Sequence, residues 1–367
     1  MFDDGYLFKT LDIDYELSES EKIELNKCFS EILKRARLET KTDKCFLCEK
    51  PITSFCNSHS VPRFTLKNIA LNGIVNYSNK LVKLPLEKEE KGISEAGVFK
   101  LICRECDSKT FRDYEEECNY NERPNTKMLA EITIKNYLKS ISKRMIEIGL
   151  YNQALTKAIS PFDIYEIKEK LKVSEMDLNE YIEKYKKAKK VLNKNWCDEY
   201  FVLLYEKLDY VVPIAFQSNI ALICDLEENI INDIYNKSKS YKLQDLQICV
   251  FPLKEKSIIL VYIEKGNDRY RRFFKQLKKL QLEDKLSIIN YIIFAYSEDI
   301  FFSKKIESEA LNSNELIELS KKTTDMLVLI DGENKNTALQ REFGLKNIKS
   351  IPNFLSRKYA INKEENI

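Results

Sequence analysis

Histidine occurs once in this chain of 367 residues, tryptophan once, and glycine and proline only eight times each. No Gly-rich phosphate loop is present to support a small-ligand or nucleotide sensor, and neither an internal repeat nor a low-complexity linker interrupts the sequence. Nowhere do about 18 uncharged apolar residues run together, as a membrane helix requires. The opening residues Met1-Phe2-Asp3-Asp4-Gly5 are acidic where a secretory signal is basic, and no apolar stretch follows them. A cytoplasmic protein without a membrane partner is therefore expected. Neither sign of charge dominates: 60 basic side chains face 58 acidic ones, a formal charge of +2. No whole-molecule field draws the chain to nucleic acid, so any polyanion site must be local.

What is present is ample apolar material, 44% of residues with 11% aromatic, enough for the cores of two or three domains. Low Gly and Pro with abundant Lys, Ile and Asn resemble an AT-rich bacterial coding composition. Of ten cysteines, four form two Cys-x-x-Cys pairs, Cys45/Cys48 and Cys103/Cys106, the arrangement that aims four thiolates at one tetrahedral Zn²⁺. Four thiolates saturate the ion, which makes it a structural zinc. Cys56 and Cys118 flank the segment as alternative ligands, while Cys28, Cys197, Cys224 and Cys249 sit among apolar residues and read as buried free thiols.

The periodicity predicts an amphipathic helix over 18–38, a zinc-stapled segment over 45–118, and helices at 161–172 and 174–194, the last with a lysine-rich face turned to water. Short β-branched or aromatic runs at 201–206, 211–216, 221–224, 248–253 and 257–263 read as strands. Helices return near 267–280, 283–297, 304–311, 313–323 and 335–343. The fold class is α+β, divided as 1–124, a zinc-binding part with an N-terminal helix; 125–195, a helical segment; and 196–367, an α+β recognition or regulatory part.

The single histidine, His59, lies between the two cysteine pairs in Asn57-Ser58-His59-Ser60-Val61-Pro62-Arg63. An imidazole with a pKa near 6.5 can take a proton from water at neutral pH, so it suits a general base. The structural alternatives are a histidine bonded across a hairpin, or one replacing a cysteine on zinc.

Cys45, Cys48, His59, Pro62, Cys103, Cys106 and Asp107 together resemble the HNH (ββα-metal) nuclease family in its cysteine-stapled treble-clef form, over residues 45 to 115. The resemblance implies a metal-dependent endonuclease acting on DNA or RNA, with His59 as general base and Asp107, at the start of the second knuckle's helix, as ligand of a catalytic Mg²⁺ or Mn²⁺. Ser58 stands where that family has a metal-binding carboxylate, and Asp107 where it has His or Asn. Glu115, two turns further along an expected helix over 107–117, lies about 12 Å from Asp107 along the axis, too far to share one ion. Arg63, Arg104 and Lys109 are the nearby cations that would hold phosphates. A second cluster, Arg269, Arg271 and Arg272 among aromatic residues, fits either a nucleic-acid surface or a helix with buried rings and solvated cations. A variant of the family with a Ser-His pair occurs in bacterial proteins associated with phage defence, which implies an antiviral role and a protein partner. The alternative is a non-catalytic zinc-stabilised module that binds protein or nucleic acid in a defence complex.

Overall fold

The computed structural model describes residues 19–78, 89–156, 158, 160–194, 198–236, 238, 240–297, 299–311, 313–321 and 330–361. The chain opens with helix α1 (Glu19–Glu39), then strand β1 (Ser58–His59), α2 (Arg63–Ile69), β2 (Ile74–Ser78), β3 (Glu89–Gly92), β4 (Val98–Phe99), α3 (Arg104–Thr110) and α4 (Arg112–Glu115). Two long helices follow, α5 (Thr126–Leu155) and α6 (Pro161–Leu192), then β5 (Tyr200–Leu208), β6 (Ile214–Ile220), β7 (Leu246–Pro252) and β8 (Ser257–Glu264). The last part holds α7 (Arg271–Lys278), α8 (Leu282–Tyr296), β9 (Ile300–Phe302), α9 (Ser308–Leu311), α10 (Asn314–Lys321) and α11 (Lys335–Phe343). It is a mixed α+β protein.

One seven-stranded sheet, in the order β3-β2-β9-β6-β7-β8-β5, pairs antiparallel throughout. Its central strands are buried on both faces, which explains why β8 reads as the unbroken run Ser-Ile-Ile-Leu-Val-Tyr-Ile-Glu and not as an alternation. Ile259, Val261 and Ile263 join the core made with α7 and α8, whereas Ile258, Leu260 and Tyr262 join the core made with α5 and α6.

Two of the three parts drawn from sequence, 1–124 and 196–367, contribute strands to this sheet, and the helices of the third pack on it. Strands β2 and β3 lie within 1–124, yet β2 pairs with β9 through Asn76 opposite Phe302 and Tyr77 opposite Phe301. A two-stranded hairpin cannot bury a face by itself, so it extends the larger sheet, where Tyr77 stacks on Phe301 at 4.7 Å between ring centroids. Helix α2 closes this corner, with Leu66 and Ile69 packed beside Ala215 and Phe301 and Asn68 Nδ2 donating to the Pro252 carbonyl at 3.0 Å.

Helix α5 is the axis of the second core. Asn125 caps it by accepting from the Met128 N–H at 3.0 Å, and every residue from Met128 to Leu138 is buried. A helix submerged all round must pair its polar residues. Asn136 bonds Gln217 and Gln247, both at 2.8 Å, and Tyr137 donates to Asp245 at 3.0 Å. Helix α1 packs on α5 through Ile32, Ala36 and Leu150, at a crossing where Gly149 leaves room for the Ala36 carbonyl.

Several sequence expectations differ in detail. Residues 161–192 form one continuous helix, started by Ser160, whose hydroxyl accepts from the Phe162 N–H, and by Pro161 in the first turn. Its lysine-rich stretch is not simply solvated: Lys184 reaches Asp245 at 2.7 Å and Glu180 at 2.8 Å, and Lys187 reaches Glu264 at 2.5 Å. Residues 221–224 make an isolated bridge, Cys224 to Ile230, and no strand, while β9 lies between two expected helices where no strand was expected. Cys224 and Cys249 are buried as expected; Cys197 and the side chain of Cys28 lie outside the described residues.

Candidate functional site

The cysteine pairs meet. The four Sγ atoms of Cys45, Cys48, Cys103 and Cys106 all lie within 4.8 Å of one another, close to the roughly 3.8 Å edge of a tetrahedron with Zn–S bonds of about 2.3 Å. The first pair sits in a tight turn where the Glu49 N–H donates to the Cys45 carbonyl at 2.8 Å and Glu49 takes a left-handed φ of 61°. The second pair begins α3, with Cys103 at its N-cap and the Cys103 N–H directed at Cys45 Sγ, 3.3 Å away. Helix α6 buttresses the first turn, since Tyr185 donates to the Phe46 carbonyl at 2.6 Å. The donor set and spacing fit a structural zinc, and the four cysteines paired in the sequence are the ones brought together. Among the described residues no other metal-binding group of three or more ligands is assembled. Cys56 and His59 stand outside the cluster, and Cys118 is exposed.

His59 lies on β1, paired with Val98 of β4. Its Nε2 is 2.8 Å from the Ile93 carbonyl oxygen. A carbonyl only accepts, so Nε2 carries the proton and Nδ1 keeps its lone pair. Burial lowers the imidazole's pKa from 6.5, outweighing the Ile93 bond, which raises it, and aided by the Lys135 and Arg63 charges. The ring is therefore neutral at neutral pH, a proton acceptor with a set orientation.

Successive side chains on a strand point to opposite faces, and Ser58 turns inward, fully buried. Its hydroxyl donates to Asp107 Oδ1 at 2.6 Å. Against both stands a side chain that sequence reasoning missed: Lys135 of α5. The Lys135 ammonium reaches Ser58 Oγ and Asp107 Oδ1, each at 2.8 Å, and Glu115 Oε1 at 3.0 Å. It also lies 3.9 Å from the centroid of the Phe111 ring. The side chain is wholly buried, at 0% exposure. An ammonium has three N–H donors and no more, so these three oxygens satisfy it. The only signal in the sequence was a lone lysine inside an apolar helical run.

Asp107 and Glu115 thus share one cation, contrary to the sequence expectation. The helix breaks at Phe111, where φ is −105° and ψ 11°, and α4 folds Glu115 back toward α5. Asp107 is held below the ordinary carboxylate range by Lys135, Ser58 and Cys56, against burial, which alone pushes it up. Burial leads in raising Glu115 and in pushing Cys56 up to about 11, where the Asp107 charge adds to it. The Cys56 thiol donates to Asp107 Oδ2 at 3.5 Å.

The surroundings of Asp107, the one residue expected to bind Mg²⁺ or Mn²⁺, do not fit that ion. Asp107 Oδ1, together with Ser58 Oγ and Glu115 Oε1, already surrounds an ammonium. Of the expected phosphate contacts, Arg63 and Arg104 are exposed, and Lys109 is exposed but paired with Glu105 at 2.7 Å. Arg269 donates to the Ile231 carbonyl at 3.0 Å, to Tyr241 Oη and to the Lys242 carbonyl; these bonds tie a loop down. Arg271 pairs with Asp268 at 2.7 Å, and Arg272 is exposed on α7 while Phe273 is buried.

No family model, curated protein or solved structure matches this chain.

Proposed function

We propose that the chain is an HNH-like nuclease of the treble-clef type that hydrolyses phosphodiester bonds of DNA or RNA, acting in bacterial antiviral defence. The observation that supports this reading is the neutral His59 ring, oriented by the Ile93 carbonyl at 2.8 Å with its Nδ1 lone pair unprotonated. In this reading Nδ1 takes the proton of a water as its oxygen attacks phosphorus, and the leaving oxygen gains a proton from solvent. The exposed Arg63 and Arg104 side chains, with Lys109 exposed but paired with Glu105, attract the phosphates. The divalent ion of the family is not carried into the proposal, because its ligand atoms hold Lys135.

That same lysine favours a second reading, a zinc-stabilised module that binds nucleic acid or a protein partner without cutting. One comparison separates them. Zinc-loaded wild type and His59→Ala are incubated with DNA and RNA, with and without Mg²⁺. Cleavage by wild type that falls at least 100-fold in the variant, a size typical of a lost general base, supports the nuclease; retarded migration with no cleavage supports the binding module.

A further inference from the structure

We propose that the Lys135 ammonium is a built-in replacement for a divalent cation, so that the site formed by Ser58, Asp107 and Glu115 is metal-free in the native protein and becomes a Mn²⁺ site when the lysine is removed. The comparison with a metal-bearing site rests on the HNH reading above; the contacts of the ammonium do not.

The geometry carries the replacement. Three oxygens from three separate elements, β1, α3 and α4, converge on one cationic atom at 2.8, 2.8 and 3.0 Å. Hydroxyl and carboxylate oxygens are the donors that hard divalent ions take. A Mg²⁺ bound to the same atoms would lie about 2.1 Å from each, in the space that the ammonium fills, with a positive charge against it. Lysine differs from an ion in one respect that matters: it cannot leave. Its stem comes from the buried middle of α5, and the Phe111 ring lies beside the ammonium. The charge that gathers Asp107 and Glu115 is thus covalently supplied by the fold, at every metal concentration.

Mn²⁺ binding tests this without reference to activity. Full-length zinc-loaded wild type, Asp107→Asn, Lys135→Met and Lys135→Met/Asp107→Asn are titrated with Mn²⁺, and the loss of the free-ion paramagnetic resonance signal is followed. Wild type is expected to bind no Mn²⁺ that is sensitive to Asp107→Asn. Lys135→Met, which keeps the length of the stem and leaves two carboxylates without their cation, is expected to take up one Mn²⁺ per chain and to melt at a higher temperature with the ion than without it. The double variant loses both effects. Uptake of one Mn²⁺ by wild type that Asp107→Asn abolishes overturns the proposal, as does a folded Lys135→Met that binds none. If Lys135→Met does not fold, the wild-type arm decides, since it needs only Asp107→Asn as control. Absence of any nuclease activity would remove the proposed function and leave this result standing.

Discussion

Glu131 lies one helical turn before Lys135 on α5 and allows the electrostatics of this region to be measured. Its side chain is 1% exposed. Its Oε2 accepts from the Tyr114 N–H at 2.9 Å, which fixes α4 and with it Glu115, whereas its Oε1 is 3.8 Å from Lys127. Burial pushes its pKa from the ordinary 4.5 up to about 7. Because the folded state holds the proton more tightly than the unfolded chain, the group costs nothing well below pH 4.5. The cost grows as pH rises between 4.5 and 7 and is complete above 7. At 1.36 kcal/mol per pH unit the full cost is roughly 3 kcal/mol, of which about 1.4 is already present at pH 5.5. Glu131→Gln keeps an oxygen for the Tyr114 N–H and removes the titration. Equilibrium urea unfolding of both proteins at pH 5.5 and pH 8 should therefore show the variant's stability relative to wild type improving by about 2 kcal/mol between the two. The absolute difference is offset by the new buried amide, so the change with pH is the diagnostic quantity. A difference that does not move with pH would mean that Glu131 is not carrying this cost, and the electrostatic account of α5 would be wrong.

Removal of zinc is the second perturbation. A zinc held by four cysteines contributes on the order of 10 kcal/mol of apparent folding free energy, and an ion held by this cluster would join the turn at 45–48 to the start of α3. Chelation or Cys103→Ser should expose the 45–115 segment to proteolysis and loosen Asp107 and Glu115 from Lys135, measurable by hydrogen exchange at the Tyr114 N–H. Unchanged protection would mean that the segment holds together without metal. For His59, the lowered pKa carries a sign. If the neutral ring is the base, cleavage should persist below pH 6.5 and fall only as pH drops through the depressed value, and a profile that falls at or above 6.5 would contradict the burial described for the ring.

The four-cysteine cluster was legible because a Cys-x-x-Cys pair is a local object: its two sulfurs are aimed by one turn, and two such turns need only be brought together. The buried strands β7 and β8 and the helices α5 to α8 were likewise visible as apolar runs and periods. Two shorter pieces were not. Strand β2 has a partner in β9, far away in sequence, and such pairing leaves no periodic mark. The break at Phe111 turned one expected helix into α3 and α4, and with that change Glu115 moved from a position too distant to share an ion with Asp107 into contact with the same ammonium.

The α+β class, the four cysteines able to hold a zinc ion and the one imidazole can be read from the chain alone, because each depends on residue type and short spacing. What stands opposite Ser58 and Asp107 is set by the packing of elements distant in sequence. Lys135 reaches them from α5, and a buried ammonium is stable only where the whole fold delivers three oxygens to it at once. That convergence is a property of packing between elements, and no stretch of the chain taken alone contains it.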